Sequence, residues 1–229
     1  PSGCKARNPR LHGSVIQMVA TKISIAGAVF ALAGCAGLPA LDIVKALPGG
    51  VTPAVTSVAM LGGDVTVVGP AGYCVDLDSS RPKRGFAMMA PCATLGVADA
   101  PAAIAAITTV QAGADGSAVV SENTAAFADY LRGPNGPVVL SRSGDASSVE
   151  VSDVRSLDTY VAVSLRDKAP AHIEGAQEDE WRAFVDVNGR LVTISVRGLD
   201  EAPLGEASGA ALLRQAVKAV IAANSATDT

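Results

Sequence analysis

The residues W-R-A-F-V-D-V-N-G-R-L-V-T-I-S-V-R (181–197) spell out a β-hairpin. Asn188-Gly189 lies between two apolar runs, and a two-residue type I′ turn asks for such a pair because both central positions need positive φ. The turn fixes the register. Val187 falls opposite Arg190, Val185 opposite Val192, Ala183 opposite Ile194 and Trp181 opposite Val196. Side chains alternate across a strand, so one face collects Trp181, Ala183, Val185, Val192, Ile194 and Val196. The other carries Arg182, Asp186, Thr193 and Ser195, with Phe184 and Leu191 among them. One dry face and one wetter face predict an antiparallel sheet covered on one side. A slip of one residue would put the dry set in water.

The cover for the dry face is a C-terminal helix over Glu206–Ala223. Leu212, Leu213, Ala216, Val217, Val220 and Ile221 form one wide apolar stripe at helical spacing, with Arg214, Gln215 and Lys218 off it. Upstream, alternation and turn residues predict strands at Asp64–Val68, Tyr73–Asp76, Phe86–Ala93, the end of Ala102–Val110, Val138–Leu140, Ser148–Val154 and Tyr160–Leu165. A short helix is expected over Ser121–Arg132, capped by Ser121 and stopped by Gly133-Pro134. Strands, a middle helix, more strands and a closing helix make the fold class α+β: an antiparallel sheet with a C-terminal amphipathic helix and a shorter middle helix packed on it.

This order resembles the Mog1/PsbP-like fold over about Asp64–Asn224. The G-Y-C-V-D strand (72–76) and the N-G-R-L-V-T turn (188–193) are similar to those of uncharacterised predicted lipoproteins from alphaproteobacteria. That resemblance implies an envelope protein and brings no catalytic residues with it.

The N-terminal region speaks to location. Met18 opens M-V-A-T-K, a short basic stretch, and an uncharged run from Ile23 ends at Leu32-Ala33-Gly34-Cys35. A basic start, a short apolar run and small residues are the layout of a secretory signal. The run is shorter than the roughly 20 residues a membrane-spanning helix needs. Leu32-Ala33-Gly34-Cys35 resembles the lipobox of bacterial lipoproteins, which implies cleavage before Cys35 and a diacylglyceryl group on its sulfur, with N-acylation in many bacteria. More than one acyl chain anchors stably. Ala36, rather than Asp, after the cysteine favours the outer membrane in such lipoproteins. Met18 is the expected start, which leaves Cys4 outside the protein. The domain reading is therefore 1–34 for upstream residues and signal peptide, 35–62 for the lipidated cysteine and a flexible tether, and 63–229 for a single α+β domain.

From Cys35 onward the chain carries 14 basic and 22 acidic residues. A net charge of that sign argues against nucleic acid as a partner and against electrostatic adhesion to anionic lipid. The expected attachment to the membrane is through the lipid on Cys35, and an envelope protein is the expected partner.

Cys74 and Cys92 remain as one even pair in an oxidising compartment. In a hairpin centred on Lys83 they would sit directly opposite, and a disulfide closing that loop would add about 3 kcal/mol. Free buried thiols are the alternative. Without a nearby histidine the two sulfurs make too few ligands for a metal.

Few residues suggest chemistry. His172, in A-P-A-H-I-E-G, is the one histidine after cleavage, so a Ser–His–Asp hydrolase would have to use it. No G-x-S-x-G elbow is present. Asp76 and Asp78 hint at a cation loop or a carboxylate pair, but the calcium-loop pattern fails at its later positions. The glycine clusters match no nucleotide-binding motif, and no cofactor is expected. Arg81, Lys83 and Arg84 form a basic cluster at the tip of the cysteine hairpin, either a solvated turn or a contact point for an acidic partner or a phosphate-bearing envelope component. The sequence thus favours a lipid-anchored envelope protein with a binding or support role. A small periplasmic hydrolase using His172 or paired carboxylates is the alternative.

Overall fold

The Trp181–Arg197 hairpin forms in the register its turn dictates. In the computed structural model, which describes residues 55–97, 100–101, 103–170 and 173–225, Asn188 and Gly189 take φ of 48° and 77°. Trp181 pairs with Val196, Ala183 with Ile194, Val185 with Val192 and Val187 with Arg190.

Around this hairpin the chain runs β1 (Ser57–Met60), β2 (Val65–Val68), β3 (Tyr73–Arg81), β4 (Phe86–Pro91), β5 (Ala106–Ala112), α1 (Thr124–Arg132), α2 (Gly136–Leu140), β6 (Val149–Ser156), β7 (Tyr160–Asp167), β8 (Asp179–Val187), β9 (Arg190–Gly198) and α3 (Glu206–Ser225). Strands β3 to β9 build a seven-stranded antiparallel sheet in the order β3-β4-β5-β9-β8-β7-β6, and β1 and β2 pair as a separate hairpin. The architecture is α+β, with the C-terminal helix and a shorter middle helix against the sheet.

The sheet is covered on both faces, not on one. Helix α3 lays Leu212, Leu213, Ala216, Val217 and Val220 on Trp181, Ala183, Val185, Val192, Ile194 and Val196. Each large aliphatic side chain buried there stabilises by about 1.5–3 kcal/mol. On the opposite face, α1 buries Ala128 and Leu131 against Val161, Val163, Leu165 and Phe184. Phe127 meets Phe184 edge-on with ring centroids 5.4 Å apart. The wetter face of the hairpin is therefore wet only in part. Phe184 is the residue in that alternation that a second layer needs.

Several boundaries differ from the sequence reading, each for a local reason. The stretch read as tether already contains β1, because Met60 is buried and packs in the core with Val65 and Val67 of β2. Asn224 ties this hairpin to α3: its side chain accepts from the Thr66 amide at 2.8 Å and donates to the Thr66 carbonyl at 2.7 Å. Val138–Leu140 is not a strand but the end of α2, which Pro137 opens from the first turn, a position where its missing N–H costs nothing. Helix α1 starts at Thr124 and is capped by Asn123, whose side chain accepts from the Ala126 amide at 2.9 Å. Ser121 does not cap it; its hydroxyl donates to Asp186 at 2.8 Å.

Asp186, on the wetter face of the hairpin, serves the backbone of another segment. Its carboxylate gathers the amides of Val119, Val120 and Ser121 at 3.2, 2.7 and 2.7 Å. It thereby pins the loop that leads into α1 onto the sheet.

Candidate functional site

Cys74 and Cys92 are joined, with Cα atoms 4.8 Å apart and a sequence separation of 18. They do not face each other across the hairpin. Cys74 pairs with Ala90 and Tyr73 with Pro91, so Cys92 falls in the single turn of 3-10 helix just after β4. The shift comes from a bulge in β3 between Asp76 and Arg81. Asp76 makes it: its carboxylate accepts from the amides of Asp78 and Ser79 at 3.0 and 3.1 Å, and its carbonyl accepts from the Ser80 hydroxyl at 2.6 Å. Asp76 Oδ1 is thus engaged by the backbone of its own bulge. Among the described residues, no group of three or more His, Cys, Asp and Glu side chains is placed to hold a metal.

The basic tip is real but split. Lys83 and Arg84 are exposed on a turn of 3-10 helix that ends at Gly85, while the Arg81 guanidinium donates back to the carbonyls of Asp78 and Ser80 at 2.7 and 2.6 Å. Cys35 and His172 lie outside the described residues.

Two assemblies were not foreseen. The first is a groove beside α3. The helix covers β8 and β9 but stops short of β6 and β7, so Tyr160, Ala162 and Ser164 of β7 form a floor facing Ala210, Leu213 and Arg214 of α3. Its depth is set by Gly209, which lets α3 rest on the indole of Trp181. A cavity of about 90 Å³ sits there. It adjoins a second of about 260 Å³ that shares Ser164, Trp181 and Glu206. Arg155 and Arg214 stand at the mouth, with Asp153 and Glu206. Burial raises the Tyr160 hydroxyl above its ordinary pKa, and the Arg214 charge works against that rise. Among the described residues, the buried Ser164 hydroxyl and Trp181 indole N–H have no hydrogen-bond partner. Such groups are rare in folded proteins, because each costs about 1–3 kcal/mol when left unmade. The groove suits an apolar group that brings a hydrogen-bond acceptor.

The second assembly is a buried charge network on the opposite face. Glu180 is fully buried, and its two oxygens accept from Arg182 Nε at 2.8 Å and from Arg197 Nη2. Burial alone would raise the Glu180 pKa. The charges of Arg182 and Arg197, with a hydrogen bond from Ser195, overrule it and hold the carboxyl below its usual range. Arg182 Nη1 also donates to the Leu140 carbonyl at the end of α2, at 3.0 Å. Two residues on, Arg142 packs over Asp167. Its amide donates to Asp167 Oδ2 at 2.9 Å, and its Nη2 donates to the carbonyls of Asp167, at 2.6 Å, and Ala169. Burial opposes the Asp167 charge too, but the amides of Arg142 and Ala169 and the Ser148 hydroxyl keep its pKa low. The sequence carried one sign of this network: Glu180, Arg182 and Arg197 fall on one face once the hairpin register is drawn.

Comparison with known proteins adds outline and no chemistry. No protein-family model matches the chain, and no curated protein matches it. Among solved structures, the Saccharomyces cerevisiae Ran-binding protein Mog1p is similar, with 14% identity over 72% of this chain and 92% of that one and a TM-score of 0.40. A point mutant of protein Mog1 matches at 15% identity over 71% of this chain and 93% of that one, TM-score 0.40. Cyanobacterial PsbP from Synechocystis matches at 13% over 77% of this chain and 96% of that one, TM-score 0.40. The sequence reading named the same two structures, and at this level of similarity the likeness carries nothing further.

Proposed function

We propose that this chain is a lipid-anchored protein of the cell envelope, held on its periplasmic side through Cys35, whose folded domain acts by binding a partner and not by catalysis. The observation that carries this reading is Leu32-Ala33-Gly34-Cys35 closing a signal-like run. The Cys74–Cys92 bond supports it, because structural disulfides persist in oxidising compartments and are rare in reducing ones. The groove beside α3 and the basic tip at Lys83 and Arg84 are faces that a partner could use. Ala36 favours the outer membrane as the site of anchorage. For the alternative, a hydrolase using paired carboxylates, Asp76 has one oxygen already engaged by the backbone of its own bulge.

Cell fractionation tests the anchor. Cys35→Ala should move the chain from the membrane to the soluble fraction, and an unchanged distribution would sink the anchor. Photo-cross-linking tests the binding role, with the reactive side chain placed at Arg214 for the groove and at Lys83 for the tip. A discrete cross-linked product from either position supports a partner and names its face. No product from both counts against a binding role.

A further inference from the structure

The charge network around Glu180 does not balance. Arg142, Arg182 and Arg197 bring three positive charges, and Glu180 and Asp167 bring two negative ones. The guanidinium side chains are only 8%, 12% and 13% exposed. Buried charges are normally paired, because an unpaired one forfeits its hydration without return.

Hydrogen bonding is also incomplete. A guanidinium is a donor at every nitrogen. Arg142 places Nη2 on two carbonyls, yet its Nη1 and Nε are buried with no hydrogen-bond partner among the described residues, Nε standing 3.4 Å from Asp167 Oδ2. Burial and the facing charge of Arg197 both work against the Arg142 cation, and Asp167 and Glu180 only partly offset them. The network therefore holds a surplus positive charge and surplus donors in one place.

The network lies beside a part of the sheet that the helices leave uncovered. Helices α1 and α2 cover β6, β7 and one side of β8 on this face. Beyond them, Thr193, Ser195 and Arg197 of β9 and Ile107 and Thr109 of β5 are half-buried. The arginines thus stand at the rim between the covered and the open half of the sheet.

We propose that Arg142, Arg182 and Arg197 form a seat for one phosphate-type oxyanion, entering from the open β9–β5 side. Guanidinium forks match the oxygens of phosphate in pairs, which a lysine cannot do. Glu180 and Asp167 hold the forks in place before the anion arrives, and the bound anion more than offsets the surplus charge. The anion is either free phosphate or a phosphate monoester at the end of a larger molecule such as a lipid headgroup. This seat is independent of the anchor and of the groove beside α3.

The test uses the full chain in neutral detergent. Inorganic phosphate is titrated by calorimetry and by thermal shift at constant ionic strength, with chloride as the reference. A parallel arm measures co-sedimentation with phosphatidylcholine vesicles that contain or lack phosphatidic acid, using Cys35→Ala so that the lipid anchor does not contribute. Saturable binding of inorganic phosphate, weakened at least tenfold in Arg142→Gln and less in Arg142→Lys, supports a seat for free phosphate. Binding seen only on the phosphatidic acid vesicles, lost in Arg142→Gln, supports a headgroup seat. No saturable effect of phosphate or of phosphatidic acid on the unsubstituted seat overturns the proposal, and this readout does not depend on whether a variant folds. Binding that survives unchanged in a folded Arg142→Gln chain also overturns it.

Discussion

Gly209→Ala should destabilise the domain although it replaces the second-worst helix former with the best. Taken alone, the exchange within α3 is worth about 1 kcal/mol in favour of alanine. At this position the new Cβ would lie 2.2, 2.3 and 2.4 Å from three ring atoms of Trp181. Ordinary contact begins at 3.4 Å, so α3 must retreat by more than an ångström or the indole must turn. Neither is cheap. Trp181 is 4% exposed and held between α3 and the sheet, and Leu212 and Leu213 would lose contact as the helix lifts. Overpacking of this kind costs about 1–3 kcal/mol, with the upper end appropriate to a rigid ring, and the lost packing adds to it. The net expectation is a loss of about 2 kcal/mol, or about 4–8 °C in Tm for a domain of this size. Urea denaturation followed by circular dichroism measures the loss. The chain has one tryptophan, so its fluorescence reports the same contact, and the emission should shift to the red as the groove opens. Pairing Gly209→Ala with Trp181→Leu should recover about 1 kcal/mol or more relative to the sum of the single changes. A Gly209→Ala chain of equal or greater stability with unchanged emission would refute the argument that α3 rests on the indole.

Replacing Cys74 and Cys92 together by serine should cost about 3 kcal/mol, from the loop the bond closes, and reductant on the native chain should do the same; coincident urea midpoints with and without reductant would contradict this. Glu180→Ala leaves Arg182 and Arg197 unpaired in the interior and should cost about 3–5 kcal/mol, with Glu180→Gln costing less because it keeps one acceptor; calorimetric Tm values give the order. Glu180 and Asp167 both have pKa values lowered by folding, so the stability they contribute is complete above the unfolded carboxylate range, at about pH 4–4.5, and is lost as pH falls through their lower folded values. A plot of unfolding free energy against pH should be level near neutrality and fall below about pH 4, and Glu180→Gln should flatten that limb; an unchanged limb counts against the network. Asp186→Ala should free the Val119–Ser121 loop and cost about 1–3 kcal/mol, read as faster amide exchange at Val120 and Ser121.

What the sequence disclosed follows how locally each feature is encoded. The Trp181–Arg197 hairpin was legible to the residue because an Asn-Gly turn sets register without help from the rest of the chain. The α3 stripe was legible because its period is intrinsic. The Cys74–Cys92 pairing was anticipated but its register was not, since the bulge depends on Asp76 folding back onto Asp78 and Ser79. Val138–Leu140 is helical because Pro137 and the contact of Leu140 with the sheet outweigh the β preference of two valines. The groove beside α3 depends on where the helix stops on the sheet, a tertiary quantity with no sequence period. The Arg142–Asp167 contact joins segments 25 residues apart, and neither residue stands in a pattern that announces it.

Intact mass of the membrane-extracted protein, with and without reductant and beside Cys35→Ala, bears most directly on the central claim. The account predicts a chain that begins at Cys35, carries acyl mass that Cys35→Ala lacks, and gains two hydrogens on reduction as Cys74 and Cys92 separate. An unprocessed, unlipidated chain with all thiols free would contradict it.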